Sequence, residues 1–153
     1  MLKNFPSANG STDDHERPNR NKLIKAKDVD ILVSCMICQE FIRTSESLKK
    51  DPALCEFLKI FMCKIQDERN LFSPIEFYCT STELQTLDGL QSIYNRIVKL
   101  FEDVKKEHSK IYKANQKIKL QPFTVSIIVA LLQDFAFDSS DIDIKGKEED
   151  SKR

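Results

Sequence analysis

Cys35 and Cys38, separated by two residues, are the one pair in the chain with metal-ligand spacing. A structural zinc site takes four closely arranged ligands, as two such pairs or as a pair with histidines. Cys55, Cys63 and Cys79 stand singly, and the only histidines are His15 and His108. Cysteine is also among the most frequently buried residues, so these thiols read as core packing inside apolar helices. A thiol nucleophile needs a base such as histidine within hydrogen-bond reach, and acid–base catalysis needs a perturbed titratable group. His15 belongs to a polar arm. His108 lies on the seam of a helix, where a structural or register-setting polar residue is the ordinary role. Asp67-Glu68 and Glu102-Asp103 read as solvated surface. The run at 141–146, Asp-Ile-Asp-Ile-Lys-Gly, begins like a calcium loop, but Lys145 and Lys152 fill positions that need oxygen ligands. The expectation is a non-enzymatic chain with no catalytic residue, no cofactor and no metal.

Glycine narrows the choice further. Gly10, Gly89 and Gly146 are the only three and are scattered, so no loop can bring clustered backbone N–H groups onto a phosphate. Lys+Arg and Asp+Glu are both 24, which gives a net charge of zero and no field favouring nucleic acid or an anionic membrane. Such neutrality also leaves little repulsion between copies. Hydrophobic residues at 41% and charged residues at 31% are globular proportions, and 153 residues suit one domain. The apolar run at 125–132 is far too short to span a bilayer. The opening residues carry no apolar signal-peptide core, and five cysteines is an odd count for a disulfide framework. A cytoplasmic or nuclear protein, not a secreted one, is expected.

The elements that would position these residues are helical. The expected fold is all-α, a four- to five-helix bundle-like single domain over 28–136. A disordered basic and polar arm (1–27) precedes it and a disordered charged tail (137–153) follows. Asp28 can cap a first helix over about 29–47, with Val29, Leu32, Val33, Met36, Ile37 and Phe41 as its core stripe. Residues 29–33 also resemble the short apolar strand that docks on ubiquitin-like modifiers, but inside an amphipathic helix core packing is the better account. Asp51-Pro52 opens a second helix with Leu54, Phe57, Leu58, Phe61, Met62 and Ile65 at helical spacing. Ser73-Pro74-Ile75-Glu76 opens a short helical piece through Tyr78. The run 123–135 is rich in β-branched residues, but its length and the lack of a partner strand favour a buried helix.

Between these, residues 80–118 read as one long helix opened by a Thr80–Glu83 capping box. One seam row is Leu87, Tyr94, Phe101, His108 and Asn115; its companion is Leu90, Ile97, Val104, Ile111 and Ile118. Up to Val104 the seam is widened by Ile93, Val98 and Leu100 and belongs inside the domain. From Lys105 it narrows between lysines, the form of a coiled-coil-like or helix-in-groove contact. Val104, His108, Ile111, Tyr112, Asn115 and Ile118 are therefore the candidate partner-binding residues, unless this half closes the domain's own bundle. The function expected is a protein–protein interaction module or complex subunit, with another protein or a second copy as partner.

Five short pieces within 48–98 carry a family likeness: Leu48 with Asp51; Glu56-Phe57-Leu58-Lys59; Glu68-Arg69-Asn70-Leu71-Phe72; Ile75-Glu76-Phe77-Tyr78; and Ile93-Tyr94-Asn95-Arg96-Ile97-Val98. Together they resemble the regulator of G-protein signalling (RGS) domain, an all-helical module. In that family a Glu-Asn pair lies at the face that steadies the switch regions of a Gα subunit. The resemblance implies a Gα-type GTPase as an alternative partner, with Glu68 and Asn70 as contacts, here separated by Arg69.

Overall fold

The computed structural model describes residues 17–138, and four α-helices carry them. These are α1 (Asp28–Glu46), α2 (Lys50–Arg69), α3 (Leu87–Glu107) and α4 (Pro122–Leu132). A parallel pair of two-residue strands, β1 (Ile24–Lys25) and β2 (Phe135–Ala136), joins the two ends. The helices touch round a ring: α1 meets α2, α2 meets α3, α3 meets α4, and α4 returns to α1. The fold is all-α and bundle-like, as the helical spacing predicts. No described helix is long and apolar enough to cross a membrane. Most of the expected arm and tail, including His15 and the run at 141–146, lies outside the described residues.

Local chemistry sets most helix ends. Asp28 and Asp30 occupy the first turn of α1, where the helix dipole favours anions, and the Asp30 carboxylate accepts the Lys27 N–H at 2.9 Å. The far end turns at Ser47 in the left-handed region (φ 57°, ψ 44°), and the Leu48 N–H closes onto the Arg43 carbonyl at 3.1 Å. Pro122 opens α4, where its missing N–H has no helical acceptor to lose. Six of the residues of α4 are buried (Thr124, Val125, Ser126, Ile128, Val129 and Leu132), so its β-branched run packs as an enclosed helix.

The long helix departs from expectation at both ends. The Thr80–Glu83 box does form, each N–H reaching the other's side-chain oxygen at 3.2 Å. It opens only a 3-10 turn, Glu83–Gln85. Thr86 then goes extended, and its hydroxyl accepts the Gly89 N–H at 2.9 Å to start α3. At the other end α3 stops at Glu107, and residues 108–121 fold back across the bundle. Continued as helix, Ile111 and Ile118 would form a strip two residues wide between lysines. The return instead buries Ile118 and Leu120 in the core.

Side chains, not a backbone ladder, hold this return. Lys105 Nζ donates to the Ala114 and Gln116 carbonyls at 3.0 Å, and Lys59 Nζ to the Lys117 carbonyl at 2.8 Å. The Tyr94 hydroxyl donates to the Ile118 carbonyl at 3.0 Å, while Glu56 and Glu46 accept the N–H groups of Lys119 and Gln121 at 2.9 Å.

Residues 73–78 are not helical. Ile75, Phe77 and Cys79 are buried while Glu76 and Tyr78 are half-exposed, the alternation of an extended segment. Asp67 fixes it by accepting the Glu76 and Phe77 N–H groups at 2.9 and 3.2 Å. Asp67 and Glu68 are thus interior groups and not solvated surface. Burial raises the Asp67 pKa, opposed by those two N–H donors and by Arg20. Residues 17–27 of the expected arm also pack on the domain: Arg20 donates to the Asp67 and Ser73 carbonyls at 2.6 and 2.8 Å, and Arg17 to that of Ile75 at 2.8 Å.

Candidate functional site

α1 packs on the bundle through Ile31, Cys35, Cys38 and Ile42, an i, i+4, i+7, i+11 stripe. On the opposite side a second apolar stripe faces water. Val29, Leu32, Val33, Met36 and Ile37 are each between 44% and 61% exposed. These are the residues expected in the core, and the structure corrects that expectation. Among the described residues α1 is flanked mainly by α2 and α4, and two such neighbours cover one side of a helix. Eight of the eleven residues at 28–38 are apolar, more than one face can hold, and a helix apolar all round is ordinarily buried. That excess was the available signal. Phe41, from the same expected stripe, is half-buried and meets the Phe123 ring of α4 at 6.4 Å.

The stripe borders a groove of about 280 Å³ between α1 and the end of α4, lined by Asp30, Val33, Ser34, Ile37, Cys38, Leu131 and Phe135. Its charged member, Asp30, is bound to the helix start. Burial, with Cys35 second, pushes the Cys38 thiol up to about 12, and burial raises Cys63 and Cys79 as well, so these thiols stay protonated and poorly nucleophilic at neutral pH. Among the described residues no three of His, Cys, Asp and Glu converge as metal ligands. What this face offers is apolar contact. The largest bare apolar patch of an ordinary monomer is about 300–600 Å² and often functional, and five half-exposed aliphatic side chains in one stripe reach that scale.

The residues expected to form the partner seam do not share a surface. Val104 and Ile118 are buried in the core. Tyr112 packs edge-on against Phe101, ring centres 5.4 Å apart. His108 is the half-buried end cap of α3, its N–H on the Val104 carbonyl at 2.8 Å. Only Ile111 and Asn115 are exposed, both on the returning segment. Glu68 points inward, accepting the Phe137 and Asp138 N–H groups at 2.9 and 2.6 Å, while Asn70 is exposed at the end of α2 beside exposed Leu71 and Phe72. No family model, curated protein or solved structure matches the chain at a significant level, so the functional reading rests on the chemistry of the α1 face.

Proposed function

We propose that the chain is a non-enzymatic protein-interaction module whose docking face is the outer side of α1. The observation that carries this is the uncovered stripe Val29, Leu32, Val33, Met36 and Ile37, continuous with the apolar groove at Leu131 and Phe135. An apolar stripe at i, i+3, i+4, i+7 and i+8 beside a groove is suited to the apolar face of another helix. The thiols of all five cysteines are free, which fits work in a reducing compartment such as cytosol or nucleus.

The test is Met36→Asp. Met36 is 61% exposed, so a carboxylate there stays hydrated in the free protein, and the melting temperature should hold within a few degrees. Retention of a bound protein on the immobilised chain should fall about 30-fold or more, the ~2 kcal/mol of a buried interface anchor. Unchanged retention would sink the reading.

A second reading follows the RGS resemblance and is favoured by one feature, the protruding corner of Asn70, Leu71 and Phe72, with Phe72 fully exposed. On this reading a Gα subunit in its transition-state-mimic form binds at that corner. Asn70→Ala should then weaken binding about 5- to 10-fold, the scale of one lost hydrogen bond to a neutral or charged group, without altering stability. Absence of binding to any Gα subunit removes this reading.

A further inference from the structure

We infer that the outer face of α1 is covered by the α1 of a second copy of this chain, lying antiparallel to the first. The inference rests on the proposed use of that face and adds the identity of its occupant. It comes from the order of residues along the stripe. At 3.6 residues per turn, Asp28, Leu32, Met36 and Arg43 fall along one border of the exposed face and Val33 and Ile37 along the other, next to the groove. Both borders are nearly symmetric about residue 35.

A two-fold axis through that point maps each border onto the same border of the second copy. Val33 then stands opposite Ile37 of the second copy, and the two grooves with their Leu131 side chains face one another across the seam. On the other border Leu32 and Met36 meet their counterparts. Arg43 comes level with residue 27 of the second copy, about 1.5 Å of helix rise from Asp28. Glu40, which holds Arg43 at 2.7 Å on its own helix, comes level with Asp30 of the second copy. There it meets Lys27 and the positive start of the opposing helix.

Each end of the pair therefore joins Glu40 and Arg43 to Lys27, Asp28 and Asp30, and the charges nearly cancel. A parallel pair would instead stack Asp28 and Asp30 on their own copies. Between the ends, residues 31–37 carry no charge, so no unpaired charge is buried in the middle of the seam. The chain's net charge of zero removes long-range repulsion between copies. One patch that is its own complement is what a two-fold interface requires.

Sedimentation equilibrium on the full chain tests this. The wild type should show a reversible monomer–dimer equilibrium. Val33→Asp, at a half-exposed position, should raise the dissociation constant at least 100-fold with a melting temperature unchanged within a few degrees. Asp28→Arg and Arg43→Asp should each weaken the dimer about three- to tenfold, and the double variant should recover most of that loss, because the swap restores the pair. A wild type that stays monomeric into the high-micromolar range overturns the second copy as occupant, as does a dimer indifferent to Val33→Asp. Single swaps that the double variant fails to rescue overturn the antiparallel register. If the chain is monomeric but Met36→Asp still abolishes retention of a different protein, the docking face stands and only its occupant was wrong. If Val33→Asp melts the domain, α1's outer side is structural and both readings fall.

Discussion

Glu68→Ala is expected to lower the melting temperature of the domain by roughly 10–25 °C, the equivalent of about 3–5 kcal/mol in a domain of this size. Glu68 lies one turn beyond Lys64 on α2, and its Oε2 stands 3.2 Å from the Lys64 ammonium. The lysine side chain is 1% exposed and the glutamate 6%. Among the described residues Lys64 Nζ makes no geometrically sound hydrogen bond, and the face of Phe77 lies 5.5 Å from it. Burial lowers the Lys64 pKa, and the Glu68 carboxylate is the largest influence opposing that. Removing Glu68 leaves a buried ammonium without its nearest counter-charge, and only the weaker influence of Asp67 remains. It also strips the acceptors from the Phe137 and Asp138 N–H groups, which secure the segment after β2. Lys64→Met with Glu68→Gln should recover much of the loss, since a buried pair replaced together costs far less than one partner removed. Thermal melting of the two variants against the wild type decides this; a shift of only a degree or two for Glu68→Ala would show that the pair is not closed. The result also bears on the GTPase reading. Loss of Gα binding in Glu68→Ala would report the fold, so only exposed Asn70 can test that contact.

How little of this was visible in the sequence is clearest along α2. Leu54, Phe57, Leu58, Phe61, Met62 and Ile65 form a regular apolar stripe, and that stripe identifies the helix. Yet the most buried face holds Ala53, Glu56, Phe57, Lys59, Ile60, Cys63, Lys64 and Asp67, while Leu58 is exposed. The helix is turned so that Glu56, Lys59, Lys64 and Asp67 point inward. They do so because the extended segments at 74–80 and 117–119 cross the bundle with backbone groups that no ladder satisfies. Asp67, Glu56 and Lys59 supply the missing partners. A hydrophobic pattern records only apolar demand. It cannot show that a loop elsewhere will need an acceptor at a given turn.

The same limit explains α1 and the end of α3. Periodicity located α1 almost to the residue, because Asp28 and the apolar spacing act locally. Which of its two apolar sides is covered depends on where α2 and α4 lie, and that is a tertiary fact. On α3 the seam rows correctly marked Ile97, Phe101 and Val104 as a packing face. Carrying the rows on to Ile118 failed because the chain gains more by folding back. Ile118 reaches the core from an extended return, held by Lys105 and Tyr94. The lysines that looked like a solvated border include Lys105, a buried staple.

Gly89→Ala is expected to destabilise the domain by about 1–3 kcal/mol or more, lowering the melting temperature by roughly 5–15 °C. In an ordinary helix the same change is stabilising, by about 1 kcal/mol. Here a Cβ at Gly89 would lie 2.1 Å from the Glu83 carbonyl oxygen, 2.5 Å from its Cα and 2.6 Å from its carbonyl carbon. These are backbone atoms and cannot swing aside, so the 3-10 turn must move away from α3. That turn carries the Glu83 carboxylate, which both terminal nitrogens of Arg96 hold at 2.7 Å. Arg96 in turn donates to the Tyr78 carbonyl at 2.8 Å and stacks on the Tyr78 ring at 4.0 Å, so the displacement is passed to the extended segment. Glu83 also supplies a pH signature. Burial opposes its charge, but the Arg96 pair and the Thr80 hydrogen bonds outweigh that and hold its carboxyl below the usual 4.5. The contribution is complete above that value and is lost as the pH falls through the lower folded pKa, because the unfolded chain takes up the proton first. In Gly89→Ala the strained pair should lose part of this dependence, giving a flatter stability profile below pH 4.5. A double-mutant cycle with Arg96→Ala reads the coupling directly: a substantial interaction energy is expected, because both changes strike one clasp. If Gly89→Ala raises the melting temperature, as helix propensity alone would have it, the turn is not seated against α3 and the clasp cannot be the element that fixes the start of that helix.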